Sequence, residues 1–333
     1  MSHKILVKKI NEQTVKPIKL KSQVDDRPVL GGELFPEPYA NITLIARKKS
    51  GKTQVCFKIL KECAGPNTKV LAFCSTINID DTWIEIKKYC KRKGIDFQGF
   101  DSIIDEKGRD LIKIFCKGLQ QRGDEKEMQD FEDEELEELE RQREIERAEK
   151  KGKLPKPKVG FFDSDGESEN DEESESEEED LYGKLDKPTI QYAKLFNNTE
   201  LVKQKEKFIA PEYMLFFDDL SDELKKPSIV TLLTKNRHYK CKTIISSHYP
   251  NDSLPKALKM CDYMLVFGGF VPKKMEKLRL DTGLPVPESD FLSIYKNATK
   301  EPYNFLYIDT LTPSLRKNFN HQYVIQKNDK EEF

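Results

Sequence analysis

The sequence lacks the long apolar runs that would place it in a membrane. No segment reaches membrane-spanning length, and the first ten residues, MSHKILVKKI, have no apolar core of the kind found in secretory signals. Seven cysteines are present, but no two form a CxxC pair and their number is odd, which argues against a disulfide framework or a zinc knuckle. These absences predict an intracellular protein with no membrane span.

A strongly acidic segment separates two basic parts of the chain. Between Arg122 and Asp180 there are 26 acidic and 10 basic residues, a net charge of −16, whereas the whole chain carries −2, so the remaining residues carry +14. Within this segment, residues 163–180 contain 12 acidic and no basic residues, and such a run is predicted to be disordered. The basic remainder indicates either a polyanionic partner or a lysine-rich surface that only maintains solubility.

The stretch 41–60, NITLIARKKSGKTQVCFKIL, has the order strand, loop, helix, and SGKT is the GK[ST] end of a Walker A motif. Lys52 is predicted to reach the β- and γ-phosphates of ATP, and Thr53 to offer its hydroxyl to Mg²⁺. Ala46 stands where the motif usually has its first glycine. The predicted phosphate-binding residues are Ala46, Arg47, Lys48, Lys49, Ser50, Gly51, Lys52 and Thr53.

A second motif follows the acidic segment. Residues 213–219, YMLFFDD, are five apolar residues ending in two carboxylates, which is the Walker B form. Such a strand delivers its acids to the carboxyl edge of an open α/β sheet. Asp218 is predicted to hold Mg²⁺ through water, and Asp219 to orient or deprotonate the attacking water. The alternative is an apolar strand that merely ends in a capping Asp.

Another candidate strand, residues 242–247, ends in polar groups and is followed by His248. In P-loop motors, the strand between the P-loop strand and the Walker B strand carries a polar sensor of the γ-phosphate at its tip. Ser247 and His248 fit that place. The alternative is that they are polar residues at an ordinary strand end.

The remaining strand candidates lie on both sides of the acidic segment, with helical patterns between them, and predict an α/β fold. They are residues 69–74, 97–104, 262–267 and 303–308. The predicted organisation is an N-terminal arm (1–40) that covers an edge of the core, one P-loop domain (41–121 and 188–312), an acidic insertion (122–187) and a polar tail (313–333).

Four stretches together resemble one family. They are LIARKKSGKT (44–53), MLFFDDLSDEL (214–224), LLTKNRHYKCKTIISSHYPNDSLPKALKMCDYMLVFGG (232–269) and YNFLYID (303–309). In their order and residues they are similar to the genome-packaging ATPases of poxviruses and giant viruses, relatives of the FtsK–HerA motors. The similarity covers roughly residues 40–120 and 188–310.

The resemblance implies a RecA-like core, ATP hydrolysis with Mg²⁺, a homo-oligomeric ring and movement of double-stranded DNA into a capsid. It also implies viral capsid or membrane-vertex proteins as partners, in the host cytoplasm, a viral factory or the virion. Ser247 and His248 fall where the superfamily carries its sensor, often Gln. Arg237, in the NRHY segment, is implied to be an arginine finger acting on a neighbouring subunit, a DNA-binding arginine or a structural one.

Two other functions remain open from the sequence. One is a P-loop enzyme such as a nucleotide kinase, although the two Walker strands lie about 170 residues apart and no lid with paired arginines follows. The other is a non-catalytic adaptor that binds nucleotide for structure, which Ala46 and the non-Gln sensor allow.

Overall fold

The computed structural model describes residues 25–123, 207–220, 222–249, 252 and 255–324. The predictions for the first part of the N-terminal arm and for nearly all of the acidic insertion fall outside these residues. Within the described ranges, no helix is both long enough and apolar enough to cross a membrane.

The centre of the fold is a nine-stranded sheet with the strand order β3-β2-β4-β5-β1-β6-β7-β8-β9. The six strands from β3 to β6 pair in parallel, and β7, β8 and β9 extend the sheet with antiparallel pairs. The strands are β1 (Asn41–Ile45), β2 (Lys69–Cys74), β3 (Asp96–Phe100), β4 (Tyr213–Asp218), β5 (Cys241–Ser247), β6 (Tyr263–Phe267), β7 (Phe305–Asp309), β8 (Ser314–Lys317) and β9 (His321–Gln322).

Helices connect the strands and cover both faces of the sheet. They are α1 (Lys52–Cys63), α2 (Asp81–Lys93), α3 (111–123), α4 (Pro227–Lys235), α5 (Pro255–Leu258), α6 (Pro272–Thr282) and α7 (Glu288–Ala298). Local sequence sets several of their ends: Pro227 and Pro272 open helices with a preset φ, and Gly94 closes α2 in the left-handed conformation. The predicted α/β fold, with a mostly parallel sheet flanked by helices, is confirmed.

The central strands are buried at every residue, as expected for parallel strands covered on both faces. Alternate residues face opposite layers. Ile42 and Leu44 of β1 pack in the cluster that contains α1 and α2, whereas Ile45 packs with α6 and α7. The helices α3 and α4 cover β2, β4 and β5 on the face opposite α1.

The end of the N-terminal arm contacts the sheet through Phe35. This side chain is fully buried and lies 5.1 Å from the ring of Tyr263 and 6.0 Å from that of Tyr307, measured between centroids. The Tyr307 hydroxyl donates a hydrogen bond to the carbonyl of Leu34 at 3.0 Å. This part of the arm therefore packs on one face of β6 and β7.

Two strands of the sheet were missed by the sequence analysis. β8 and β9 lie in the stretch 313–333, which was assigned to a polar tail. β8 has the sequence SLRK, and Leu315 is its buried side chain, so the segment carries little apolar signal. Its place in the sheet comes from antiparallel pairing with β7, which a local pattern does not reveal.

Candidate functional site

The loop between β1 and α1 has the backbone shape of a phosphate-binding loop. Gly51, the residue before α1, has a φ of 88°, and Lys49 has a φ of 63°. Glycine adopts such left-handed angles without the steric cost of a Cβ atom. The first turn of α1 carries no acidic side chain, so its free N–H groups and positive dipole end are available to an anion. Ala46 is buried, and its N–H donates to the Ser247 carbonyl at 3.0 Å.

Asp218, the last residue of β4, is buried beside this loop. Its Oδ2 accepts hydrogen bonds from the indole Nε1 of Trp83 at 3.1 Å and from the Thr53 hydroxyl at 3.4 Å. The Lys52 ammonium lies 3.8 Å from its Oδ1. Burial raises the pKa of Asp218, and the charge of Lys52 opposes that rise. The side chains of Lys52, Thr53 and Asp218 therefore meet at the carboxyl edge of the sheet.

Asp219 is held between two basic side chains. Its Oδ1 lies 2.5 Å from Lys52 Nζ and 3.0 Å from His248 Nε2. The other ring nitrogen of His248, Nδ1, lies 3.2 Å from the Ala46 carbonyl oxygen. The two ring nitrogens therefore face the Asp219 carboxylate on one side and the Ala46 carbonyl on the other. Asp219 itself has a φ of 53°, a left-handed angle that Asp tolerates better than most residues.

The strand order places β5 between β1 and β4, as the sequence analysis expected for the strand that carries the sensor. His248, which directly follows β5, contacts Asp219. Ser247 does not: its hydroxyl donates to the Tyr249 carbonyl at 3.2 Å. The serine on the Asp218 side of the sheet is Ser246, which lies opposite Asp218 in the β4–β5 register.

Three residues near the site were missed by the sequence analysis. Ser246 was detectable from the strand alternation, had the register of β5 against β4 been known. Trp83 was assigned only to a helical pattern; it lies in the first turn of α2, where Asp80 accepts hydrogen bonds from the backbone N–H groups of Thr82 and Trp83. Asp252 gave no sequence signal, and its Oδ2 accepts from the backbone N–H groups of His248 and Tyr249 at 2.9 and 2.8 Å.

The oxygen atoms at this edge suit Mg²⁺. Asp218 Oδ1 and Ser246 Oγ are both buried without a hydrogen bond of normal geometry in the described part of the chain, although the Ser246 hydroxyl is close enough to the Asp218 carboxyl to oppose the rise of its pKa. Such atoms are usually satisfied by water or an ion. Across the described ranges, no group of three or more His, Cys, Asp or Glu side chains forms a metal-binding cluster. Mg²⁺ is commonly bound by one or two protein oxygens, water and substrate phosphates, and the Thr53 hydroxyl and the Asp218 carboxylate are oxygen donors of that kind.

Arg237 lies at the amino ends of the parallel strands, opposite the edge that carries the P-loop. It precedes β5, and its Nη2 is 3.7 Å from Asp262 Oδ1, just before β6. The P-loop lies at the carboxyl ends of these parallel strands. β5 has seven residues, so its two ends, and with them Arg237 and the P-loop, are about 20 Å apart. The Arg237 side chain is 58% exposed. The structure therefore does not bring Arg237 to the site of its own chain.

No protein-family model matches the chain, and no curated protein matches it. Among solved structures, the chain is similar to the genome-packaging NTPase B204 of Sulfolobus turreted icosahedral virus 2 in complex with AMPPCP. The identity is 14%, the TM-score is 0.43, and the alignment covers 85% of this chain and 98% of that one.

Two further structures are similar to a comparable degree. The DNA-packaging ATPase B204 of Sulfolobus turreted icosahedral virus has 14% identity and a TM-score of 0.39, over 86% of this chain and 99% of that one. The cytoplasmic domain of the Thermomonospora curvata type VII secretion ATPase EccC has 13% identity and a TM-score of 0.39, over 88% of this chain and 26% of that one.

Proposed function

We propose that this protein is a Mg²⁺-dependent ATPase that translocates double-stranded DNA and packages a viral genome into its capsid. The observation that carries the enzymatic part is the meeting of Lys52, Thr53, Asp218 and Asp219 at one edge of a parallel sheet. A lysine, a hydroxyl and two carboxylates are the groups that phosphoryl transfer to water requires.

The residues divide the work as follows. Lys52 binds the β- and γ-phosphates, which requires its ammonium to leave Asp219. Thr53 and Asp218 would hold Mg²⁺, the latter through water, and the metal would neutralise charge on the triphosphate. Asp219, released from Lys52, orients the attacking water. His248 stays beside Asp219, close to the proposed γ-phosphate position, and keeps the Asp219 carboxylate oriented through its Nε2 contact.

The DNA-related part of the proposal is supported by charge and by the sequence resemblance. Outside the acidic segment the chain carries +14, and lysine and arginine contacts to phosphates dominate DNA binding that does not depend on sequence. The proposal includes a homo-oligomeric ring that works with capsid or membrane-vertex proteins in the host cytoplasm, a viral factory or the virion.

Arg237 completes the proposal as an arginine finger that acts on a neighbouring subunit. Its side chain is exposed and is separated from the P-loop of its own chain by the length of β5, about 20 Å. A catalytic role for Arg237 therefore requires the P-loop of a second subunit. A guanidinium supplied in this way stabilises charge on the transferring phosphoryl group. Arginine fingers in other phosphoryl-transfer enzymes are worth about 10³–10⁵ in turnover.

Steady-state ATP hydrolysis of the purified protein, with and without double-stranded DNA, tests the proposal. We expect Mg²⁺-dependent turnover that rises with DNA and is lost in Lys52→Ala and Asp219→Asn, while Asp219→Asn still binds ATP. An ATPase rate that is unchanged by DNA would contradict the proposed coupling of hydrolysis to DNA translocation. Phosphate transfer to a small acceptor would instead identify a nucleotide kinase, and tight binding without any turnover in an assembled sample would identify an adaptor.

A further inference from the structure

Tyr303 occupies a backbone position that normally belongs to glycine. Glu301, Pro302, Tyr303 and Asn304 form a turn just before β7, closed by a hydrogen bond from the Asn304 N–H to the Glu301 carbonyl at 3.4 Å. Tyr303 has a φ of 67°. A four-residue turn with proline at its second position and a positive φ at its third position is a type II turn, which favours Gly or Asn at the third position. A tyrosine there strains the backbone, and such strain is concentrated at functional sites.

The strained residue lies against the phosphate loop. A Cβ atom added to Gly51 would be 3.2 Å from Cδ1 of the Tyr303 ring. The Tyr303 side chain is nevertheless 70% exposed, so hydrophobic burial does not explain the strain. An aromatic side chain is thus exposed to solvent next to Gly51, the residue before α1, at the proposed phosphate-binding loop.

The position of Tyr303 in the sheet places it on the nucleoside side of the loop. Asp218 ends β4, two strands from β1 in one direction, and Tyr303 precedes β7, two strands from β1 in the other. Because β7 is antiparallel to β6, with Phe305 opposite Phe267, its beginning lies at the same edge as the P-loop. At a strand spacing of about 4.8 Å, each group lies roughly 10 Å to its side of β1. A triphosphate whose γ end faces the carboxylates therefore directs its nucleoside toward Tyr303.

We propose that the Tyr303 ring is the platform on which the base of the bound nucleotide stacks. The inference rests on the proposed nucleotide site and adds a base-binding residue to it. Stacking on an aromatic ring accepts any base, and a purine offers the larger face. The backbone strain at Tyr303 is then the cost of presenting the ring at this point of the loop.

The turn offers an unusually sharp variant, because Tyr303→Gly removes the ring and relieves the strained φ at once. Calorimetric titration would compare two ligands with Mg²⁺: ATP, and inorganic tripolyphosphate, which has no base. We expect Tyr303→Gly to bind ATP about tenfold or more weakly, the scale of aromatic–base stacking, and to bind tripolyphosphate like the wild type. Tyr303→Phe keeps the ring and is expected to keep ATP affinity.

A matched control separates the base contact from the relief of strain. Lys240 also has a positive φ, 49°, but it precedes β5 at the opposite edge of the sheet. Lys240→Gly should leave the affinity for both ligands unchanged. Both glycine variants should unfold at the wild-type urea concentration or above it, because glycine adopts a positive φ more easily than tyrosine or lysine.

Two results would overturn the platform while leaving the nucleotide site intact. One is unchanged ATP binding in Tyr303→Gly, and the other is an equal loss for ATP and tripolyphosphate, which would place the effect on the loop. Lys52→Ala reports on the site itself and should weaken both ligands. A wild type that binds neither ligand, or a Lys52→Ala variant that binds both normally, would overturn the proposed function and the platform with it.

Discussion

Replacing Trp83 with phenylalanine should uncouple Asp218 from its best hydrogen-bond donor while keeping an aromatic ring in place. The Trp83 indole is 1% exposed and packs edge-on against Phe216, with ring centroids 5.9 Å apart. Its Nε1–H donates to Asp218 Oδ2 at 3.1 Å, whereas the other donor to that oxygen, the Thr53 hydroxyl, is at 3.4 Å. Phenylalanine has no donor, so a buried carboxylate oxygen loses its shorter hydrogen bond.

The size of the effect follows from two contributions to the free energy of unfolding. A hydrogen bond to a charged group is worth about 1.5–3 kcal/mol. The smaller ring also leaves unfilled space in the core, which costs about 1 kcal/mol more. We therefore expect Trp83→Phe to lower the free energy of unfolding by about 2.5–4 kcal/mol, measured by equilibrium urea denaturation.

A double-mutant cycle with Asp218→Ala isolates the hydrogen bond from the packing loss. With no carboxylate to bind, the Trp83→Phe change should cost only its packing contribution, so the coupling should be about 1.5 kcal/mol or more. A coupling below about 0.5 kcal/mol would refute the reasoning. In the protein that keeps Asp218, Trp83→Phe should also raise the Mg²⁺ concentration needed for half-maximal ATP hydrolysis, because the carboxylate is no longer held in one orientation. An unchanged Mg²⁺ concentration would contradict the role of Trp83 in orienting Asp218.

Two further predictions concern charge at Asp218 and catalysis between subunits. Burial raises the pKa of Asp218 above its unfolded value, so the folded state binds the carboxyl proton more tightly than the unfolded state, and stability is lost as pH rises from the unfolded pKa through the folded pKa. Asp218→Asn should therefore be more stable than the wild type at pH 8, measured by urea denaturation without nucleotide. A less stable variant would contradict this. Arg237→Ala and Lys52→Ala should each be inactive in ATP hydrolysis but regain turnover when mixed, since Lys52→Ala subunits supply the arginine to intact P-loops; mixtures that stay inactive would exclude a finger acting in trans.

The sequence predicted the parts of the site that are carried by local patterns. The P-loop follows an apolar strand directly, and Asp218 and Asp219 directly follow another, so neither required knowledge of the tertiary structure. The position of β5 between β1 and β4 was also expected, and His248 lies beside Asp219 as a residue at its tip should. These features depend on the order of residue types along a short segment.

The missed residues depend instead on register and on contacts distant in sequence. Whether Ser246 or Ser247 shares a face with Asp218 is decided by a shift of one residue in the pairing of β5 with β4. The Trp83 indole reaches a carboxylate 135 residues away, and its position follows from where α2 begins after β2. Tyr303 appeared in the sequence only as the start of an apolar strand, because its positive φ and its contact with Gly51 are properties of the folded turn.

The contact between Lys52 and Asp219 links the binding of phosphate to the positioning of water. In the structure, the ammonium that should bind the γ-phosphate is 2.5 Å from the carboxylate that should hold the attacking water. The contact engages Asp219 Oδ1 and one of the three donors of the ammonium, so it holds both side chains in one position. A triphosphate that draws Lys52 away frees Asp219 at the same moment, whereas His248 keeps its own contact with Asp219 and with the Ala46 carbonyl. In the proposed mechanism, phosphate binding by Lys52 therefore comes first, and Asp219 orients the attacking water after the ammonium has moved away from its Oδ1.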